Sequence, residues 1–197
     1  GTMSFQNYRQ VPITVNQKGV KIFYTTDGTE PTNKSMLYTK PFNVDHSQTV
    51  KAIAYDAAGN NSFVTTAVYK KMEHDWAVKT NTAYEQMYDG GGAIGLVDGI
   101  RGETNWRKGN WQGYQKTDVD VTIDLKKTTT ISFVSAGFLQ DTRAWIVMPK
   151  EVIAEVSNDG KTFTQVSEKK DLLPIESLEP QLKTAEAIFT PVKARFV

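Results

Sequence analysis

One segment of the chain concentrates side chains able to hold a ligand. Glu103-Thr-Asn-Trp-Arg-Lys-Gly-Asn-Trp-Gln-Gly-Tyr114 sets Trp106, Trp111 and Tyr114 among Arg101, Arg107, Asn105, Asn110 and Gln112. Sugars bind by stacking their C–H faces on aromatic rings while polar side chains fix the hydroxyls, so this is carbohydrate-binding chemistry. The same rings could instead plug the end of a β-sandwich core, and the sequence leaves both readings open. Arg143, in Gln140-Asp-Thr-Arg143, is a further ligand candidate. Trp145 opens an apolar run and is expected to be buried. Asp98-Gly99, followed by Glu103-Thr104, offers carboxylate, hydroxyl and carbonyl oxygens. That is the donor set of a hard cation such as Ca2+, with Asp98 and Thr104 as its side-chain ligands. The alternative is a turn held by Asx hydrogen bonds. Such an ion would staple the loop rather than react.

Catalysis asks for a placed acid and base, or a nucleophile beside its activator. The carboxylates fall mostly on outward strand positions or in turns, and Asp118, Asp120 and Asp124 read as a solvated face. The two histidines, His46 and His74, have no Glu or second His at ligand spacing. Gly90-Gly91-Gly92 lacks the lysine and the following Ser or Thr of a phosphate loop. Cysteine is absent, which removes disulfides, thiolate nucleophiles and thiolate-bound zinc. The formal net charge is +1, divided into +4 over residues 1–72 and −3 over 73–197. The basic residues are scattered, with no stripe, and argue against nucleic acid as a partner. No stretch approaches the roughly 20 apolar residues that span a bilayer.

The elements that must position these residues read as strands throughout. Thr, Val, Ile, Phe and Tyr come in short alternating runs broken by Gly, Asn, Asp and Pro, and no window of helical length keeps a helical period. A first module spans residues 8–71, with strands expected at 11–15, 20–25, 36–38, 41–44, 49–55 and 62–69. Asp27-Gly28 makes a tight turn and residues 56–61 a hairpin loop. Along 49–55, Val50, Ala52 and Ala54 should oppose Lys51, Ile53 and Tyr55. Residues 1–4 read as a tag remnant in front of an internal fragment. The polar stretch 70–75 marks a boundary. A second module spans 76–197, with Trp76 as a residue that could seat it. Its strands are expected at 119–125, 130–135, 145–148, 152–157, 163–166, 184–189 and 192–197, with Val119 facing inward and Asp159-Gly160 turning a hairpin. Residues 84–104 form a long irregular stretch with six glycines, and segments of that kind inside compact domains usually carry function. Residues 172–182 form a loop with two prolines. The last alternating run breaks off at Val197, as a truncated strand would.

Two resemblances rest on these residues. Ile22-Phe-Tyr-Thr-Thr-Asp-Gly-Thr-Glu-Pro31, Tyr38 with Pro41-Phe42, and Thr49-Val-Lys-Ala-Ile-Ala54 make residues 8–71 similar to the small C-terminal sandwich domain of bacterial chitobiases and β-hexosaminidases. Leu96-Val-Asp-Gly99, Trp111-Gln-Gly113, Val121-Thr-Ile-Asp-Leu125 and Val156-Ser-Asn-Asp-Gly160 with Phe163 make residues 76–197 resemble a discoidin-type domain. That is the coagulation factor 5/8 C-terminal family, with a galactose-binding-like jelly roll. The tandem is similar to the tail of a secreted β-N-acetylhexosaminidase of Bacteroidetes type. The resemblance implies an all-β chain: a small immunoglobulin-like sandwich, then a discoidin-like jelly-roll sandwich truncated at its C-terminus. It implies a structural Ca2+ at Asp98 and Thr104, and ligand loops at 84–92, 101–114 and 138–144. Members usually continue past the stretch matching 194–197. The implied role is a non-catalytic, extracytoplasmic accessory region of a glycoside hydrolase. Its partner would be a glycan or the parent's catalytic domain. A purely structural scaffold is the alternative.

Overall fold

The structure is a computed structural model that describes residues 1–174 and 178–197. The chain divides into two compact units, Gly1–His74 and Asp75–Val197.

The first unit contains β1 (Thr2–Phe5), β2 (Arg9–Val11), β3 (Lys21–Thr25), β4 (Met36–Leu37), β5 (Phe42–Val44), β6 (Gln48–Tyr55) and β7 (Thr65–Lys71). One sheet runs β1-β7-β6-β3-β4, and β2 pairs with β5 in a second. Phe5, Val11, Val44, Val50 and Tyr69 form the core. The opening strand differs from expectation. The ladder of β2 ends at Val11 because Pro12 has no N–H to continue it. Residues 2–4 of the expected tag remnant, together with Phe5, form β1, parallel to β7. The strict two-face alternation expected of β6 also fails, since Val50 and Ile53 are both buried. The carboxylates of this unit serve its turns. Asp27 Oδ1 accepts from the Thr29 N–H at 3.0 Å and the Thr29 hydroxyl at 2.6 Å. Asp56 Oδ1 accepts from the N–H groups of Ala58 and Asn60, each at 2.9 Å.

The second unit contains β8 (Ala77–Thr80), β9 (Val121–Gln140), β10 (Glu151–Val156), β11 (Thr164–Lys170) and β12 (Gln181–Phe196). One sheet runs β12-β9-β8, and β10 and β11 form an antiparallel pair. Leu125, Ile131, Val156 and Ala194 make the core, and Trp76, Val134, Val166 and Phe189 pack on it. The runs expected as separate strands at 119–125 and 130–135 belong to one 20-residue strand, β9, which continues to Gln140. Val119 precedes it and is exposed rather than inside. The Asp159-Gly160 turn joins β10 to β11 as its chemistry dictates. Asp159 Oδ1 accepts from the N–H groups of Lys161 and Thr162 at 2.8 and 2.9 Å, and Gly160 takes φ 68°. No strand forms at 145–148. Of the loop expected at 172–182, residues 175–177 lie outside the described residues, and Gln181 and Leu182 already belong to β12.

Asp124 is not part of a solvated face. Arg195 donates to it through Nε and Nη2, both at 2.9 Å, clamping β9 to the end of β12. These bonds, joined by one from the Lys126 N–H, hold the Asp124 carboxyl well below the usual carboxylate range. Phe196 pairs with Asp124 on one side and bridges to Ser157 on the other. Val197 exchanges both backbone hydrogen bonds with Ile123, at 2.7 and 3.0 Å.

Candidate functional site

The rim of the second unit is built around close backbone packing that only glycine permits. Gly90, Gly91 and Gly92 take φ of 54°, 89° and 74° in succession. A Cβ on Gly90 would stand 2.7 Å from the Gln112 nitrogen, and one on Gly102 would stand 2.1 Å from Trp111 Cε2. The Gln112 side chain fastens the loop: its Nε2 donates to the carbonyls of Asp89 and Gly92 at 3.0 and 3.1 Å, and its Oε1 accepts from the Tyr114 hydroxyl at 2.5 Å. Burial of that phenol raises its pKa.

The aromatic candidates are woven into this rim. Trp111 Nε1 donates to the Glu103 carbonyl at 2.7 Å. Trp106 meets Tyr88 edge-on at 5.6 Å, and the Arg107 guanidinium lies 4.1 Å from the centre of its ring. Tyr114 meets Tyr84 edge-on at 6.5 Å. All three rings are half-buried, as is Asn110. Asn105 caps the short helix Trp106–Lys108, accepting at Oδ1 from the Arg107 N–H at 3.2 Å. Arg101 extends elsewhere: its guanidinium covers Gly137 of β9, 2.9 Å from where a Cβ would be.

Asp98 is buried, and its Oδ1 accepts from the Ile100 N–H at 2.7 Å, an Asx turn; Thr104 is exposed. No three His, Cys, Asp or Glu gather as a metal site among the described residues. A cation held here would therefore take at most two carboxylates and otherwise hydroxyl and carbonyl oxygens. That donor chemistry fits Ca2+ rather than a transition metal.

A second loop presents what the sequence concealed. After β9 the chain closes a tight ring: the N–H groups of Ala144 and Ile146 donate to the Asp141 carbonyl at 2.9 and 3.1 Å, and the Asp141 N–H donates to the Ile146 carbonyl at 3.0 Å. Within it, Thr142–Ala144 make one short helical turn, capped by Trp145 in the left-handed region at φ 61°, ψ 24°. Trp145 was expected to be buried in a strand; it is 92 % exposed. The physical reason is that a backbone turn beginning at Asp141, a residue favoured at the first position of turns, ends the ladder before the apolar run begins. That Asp was the available signal. A bulky residue in this backbone region is a genuine outlier. Arg143 lies beside the ring in sequence, 4.0 Å from Asp141 Oδ1 and 3.5 Å from Glu179 Oε2. The loop stands on a rigid base: Gln140 is fully buried and its Nε2 donates to the Pro174 carbonyl at 2.9 Å.

The structure thus stacks Arg107 on Trp106, holds Trp111 and Tyr114 in the same 101–114 loop through other partners, and places Arg143 on the loop with Trp145. Comparison with known families matches residues 1–66 to the chitobiase/beta-hexosaminidase C-terminal domain and residues 77–197 to the F5/8 type C domain. No curated protein matches the chain.

Proposed function

From the premise that this chain belongs to the F5/8 type C domain family, which covers more than half of it, we propose that its second unit binds carbohydrate through the loop carrying Trp145. Both matched domains are non-catalytic accessory modules typical of glycoside hydrolases. No helix among the described residues is long and apolar enough to cross a membrane. The parent is a secreted glycoside hydrolase of the β-N-acetylhexosaminidase class, and this region holds substrate near its catalytic domain outside the cytoplasm.

The observation that carries the reading is Trp145. Its ring leaves apolar surface in water, and its backbone sits where a non-glycine residue is strained by about 1–2 kcal/mol. Local strain of this kind collects at ligand clamps. An exposed indole on the same loop as Arg143, which reaches the carboxylates of Asp141 and Glu179, pairs a stacking plane with hydroxyl-fixing groups, the combination sugar recognition uses. Trp106, Trp111 and Tyr114 act as the scaffold of the neighbouring rim. A Ca2+ ion at Asp98 and Thr104 would hold that rim from within. Single-site affinity is weak and gains through local concentration beside the catalytic domain.

The test is calorimetric titration of the chain with N-acetylglucosamine and galactose oligosaccharides, following the heat of binding. Saturable change in the wild type, absent in Trp145→Ala and retained in Trp111→Phe, is expected. Equal binding by wild type and Trp145→Ala would remove Trp145 from the site. Absence of binding to any oligosaccharide leaves the scaffold role as the function.

A further inference from the structure

We propose that the free edge of β12 is a self-association surface: a second copy of this chain pairs with it antiparallel about Ala185, joining two three-stranded sheets into one. β12 lies at the edge of the β12-β9-β8 sheet. Its residues 182–188 pair with β9 on one side. No backbone hydrogen bond ties them to any other element among the described residues. An open cleft of about 300 Å3 runs beside this edge, lined by Lys183, Glu186 and Ile188 of β12 and by Lys169 and Leu172. An edge left open in this way presents a row of unpaired N–H and C=O groups, a template for another strand. Its side chains alternate: Ala185 and Ala187 are buried, while Leu182, Thr184, Glu186 and Ile188 are exposed. Leu182 is 50 % exposed and Ile188 77 %. Large aliphatics on an open edge are what monomeric sheet proteins avoid.

The spacing of those two residues selects both partner and register. Antiparallel strands related by a two-fold axis set residues of equal parity opposite one another, so outward side chains meet outward ones. Leu182 and Ile188 stand three residues either side of Ala185. Pairing about Ala185 therefore sets Leu182 of each copy opposite Ile188 of the other. Within one copy Ile188 already pairs with half-exposed Phe133, and Leu182 with buried Leu139. The dimer thus completes two apolar rows, each running Phe133, Ile188, Leu182, Leu139 across four strands. Charge fits as well. Each segment carries one lysine, Lys183, and one glutamate, Glu186. With strands about 4.8 Å apart and a rise of about 3.3 Å, the Cα of Lys183 stands roughly 6 Å from that of the other copy's Glu186. The two Glu186 are then roughly 8 Å apart and the two Lys183 roughly 14 Å. Opposite charges are nearer than like ones, so the edge complements a copy of itself. Seven paired residues bury less than the roughly 800 Å2 per partner of a stable interface, so association is weak, on the order of 10–100 μM. Gln181 pairs with Gln140, the residue before the Trp145 loop. On the proposed function the dimer holds two such loops roughly 26 Å apart along the strand direction, a bivalent arrangement for a repeating glycan. The pairing itself does not depend on that function.

The test is sedimentation velocity of the whole chain from about 5 to about 500 μM. The unmodified chain, 22.0 kDa, is expected to shift with concentration toward a species of twice that mass. Growth stops there because pairing consumes the edge in each copy. Leu182→Lys and Ile188→Glu should each weaken the dimer about tenfold or more, since each sets a charge against an aliphatic at both symmetric positions. Both side chains are exposed, so the fold is retained, and circular dichroism checks this. Combined in one chain, the two changes place opposite charges face to face and should recover affinity over either alone, which a general surface-charge effect would not do. A chain that stays monomeric at about 500 μM would overturn the proposal. So would growth beyond the dimer, single variants that dimerise as tightly as the unmodified chain, or a combined variant no tighter than either single one.

Discussion

Replacing Trp145 by glycine should leave the second unit as stable as before, or slightly more so, while abolishing ligand binding. The backbone at φ 61° is one glycine adopts freely and tryptophan does not. Releasing it returns about 1–2 kcal/mol. Glycine loses about 0.5–1 kcal/mol through greater freedom in the unfolded chain. The ring is 92 % exposed. Deleting it therefore forfeits burial of only about 20 Å2 of a side chain near 250 Å2, or roughly 0.5 kcal/mol. The terms nearly cancel, and the variant should lie within about 1 kcal/mol of the parent. Trp145→Asn, which tolerates the same backbone region with less unfolded-state entropy, should lie on the stable side. Chemical denaturation followed by tryptophan emission measures this for one unit alone. All four tryptophans, Trp76, Trp106, Trp111 and Trp145, belong to Asp75–Val197. Destabilisation of about 2 kcal/mol or more would refute the reasoning, because so large a loss requires a packed ring.

Three other perturbations test the frame around the loop. Gly102→Ala should destabilise the second unit by about 1–3 kcal/mol, since its Cβ would fall inside Trp111 and the indole is tied by its hydrogen bond to Glu103; a neutral result in denaturation would mean that the rim repacks. The Asp124 carboxyl is depressed in the folded state. Its contribution is therefore complete above the ordinary carboxylate value of about 3.9 and disappears as pH falls through the folded value. Thermal scans between about pH 2 and 5 should show Asp124→Asn with a shallower acid dependence than the parent, and parallel curves would contradict the Arg195 clamp. If Ca2+ staples the rim, a chelator should lower the melting temperature of the second unit, added Ca2+ should restore it, and Asp98→Asn should remove the response. Indifference of the parent chain to both would argue that Asp98 holds no cation.

Strand placement was legible where alternation and turn chemistry agree. Asp159-Gly160 between apolar runs gave the β10–β11 hairpin, because the Asx bonds and the positive φ are properties of those two residues alone. Length was less legible. A regular strand and a strand bent through a positive-φ residue such as Lys126 show the same local period, so β9 read as two elements. Asp124 looked solvated because its partner, Arg195, is 71 residues away, and a non-local ion pair leaves no mark on the spacing of either side. The aromatic rim was found as a cluster. Which of its rings face ligand depends on where the backbone leaves no room for a Cβ, as at Gly102, and composition does not encode that distance.

The two loops divide what a single binding loop would have to combine. Residues 84–114 engage the Trp111 indole N–H with Glu103 and the Gln112 amide with Asp89, Gly92 and Tyr114, while the Trp106 indole N–H is buried with no partner. Groups so engaged stiffen a rim but have little left for a ligand's hydroxyls. The Trp145 loop has the opposite balance: six residues closed by four backbone hydrogen bonds, with the indole left unburied. A loop backbone held rigid before the ligand arrives loses little freedom on binding. On the proposed function, the left-handed backbone at Trp145 costs folding stability once, and the loop is already ordered before any ligand arrives.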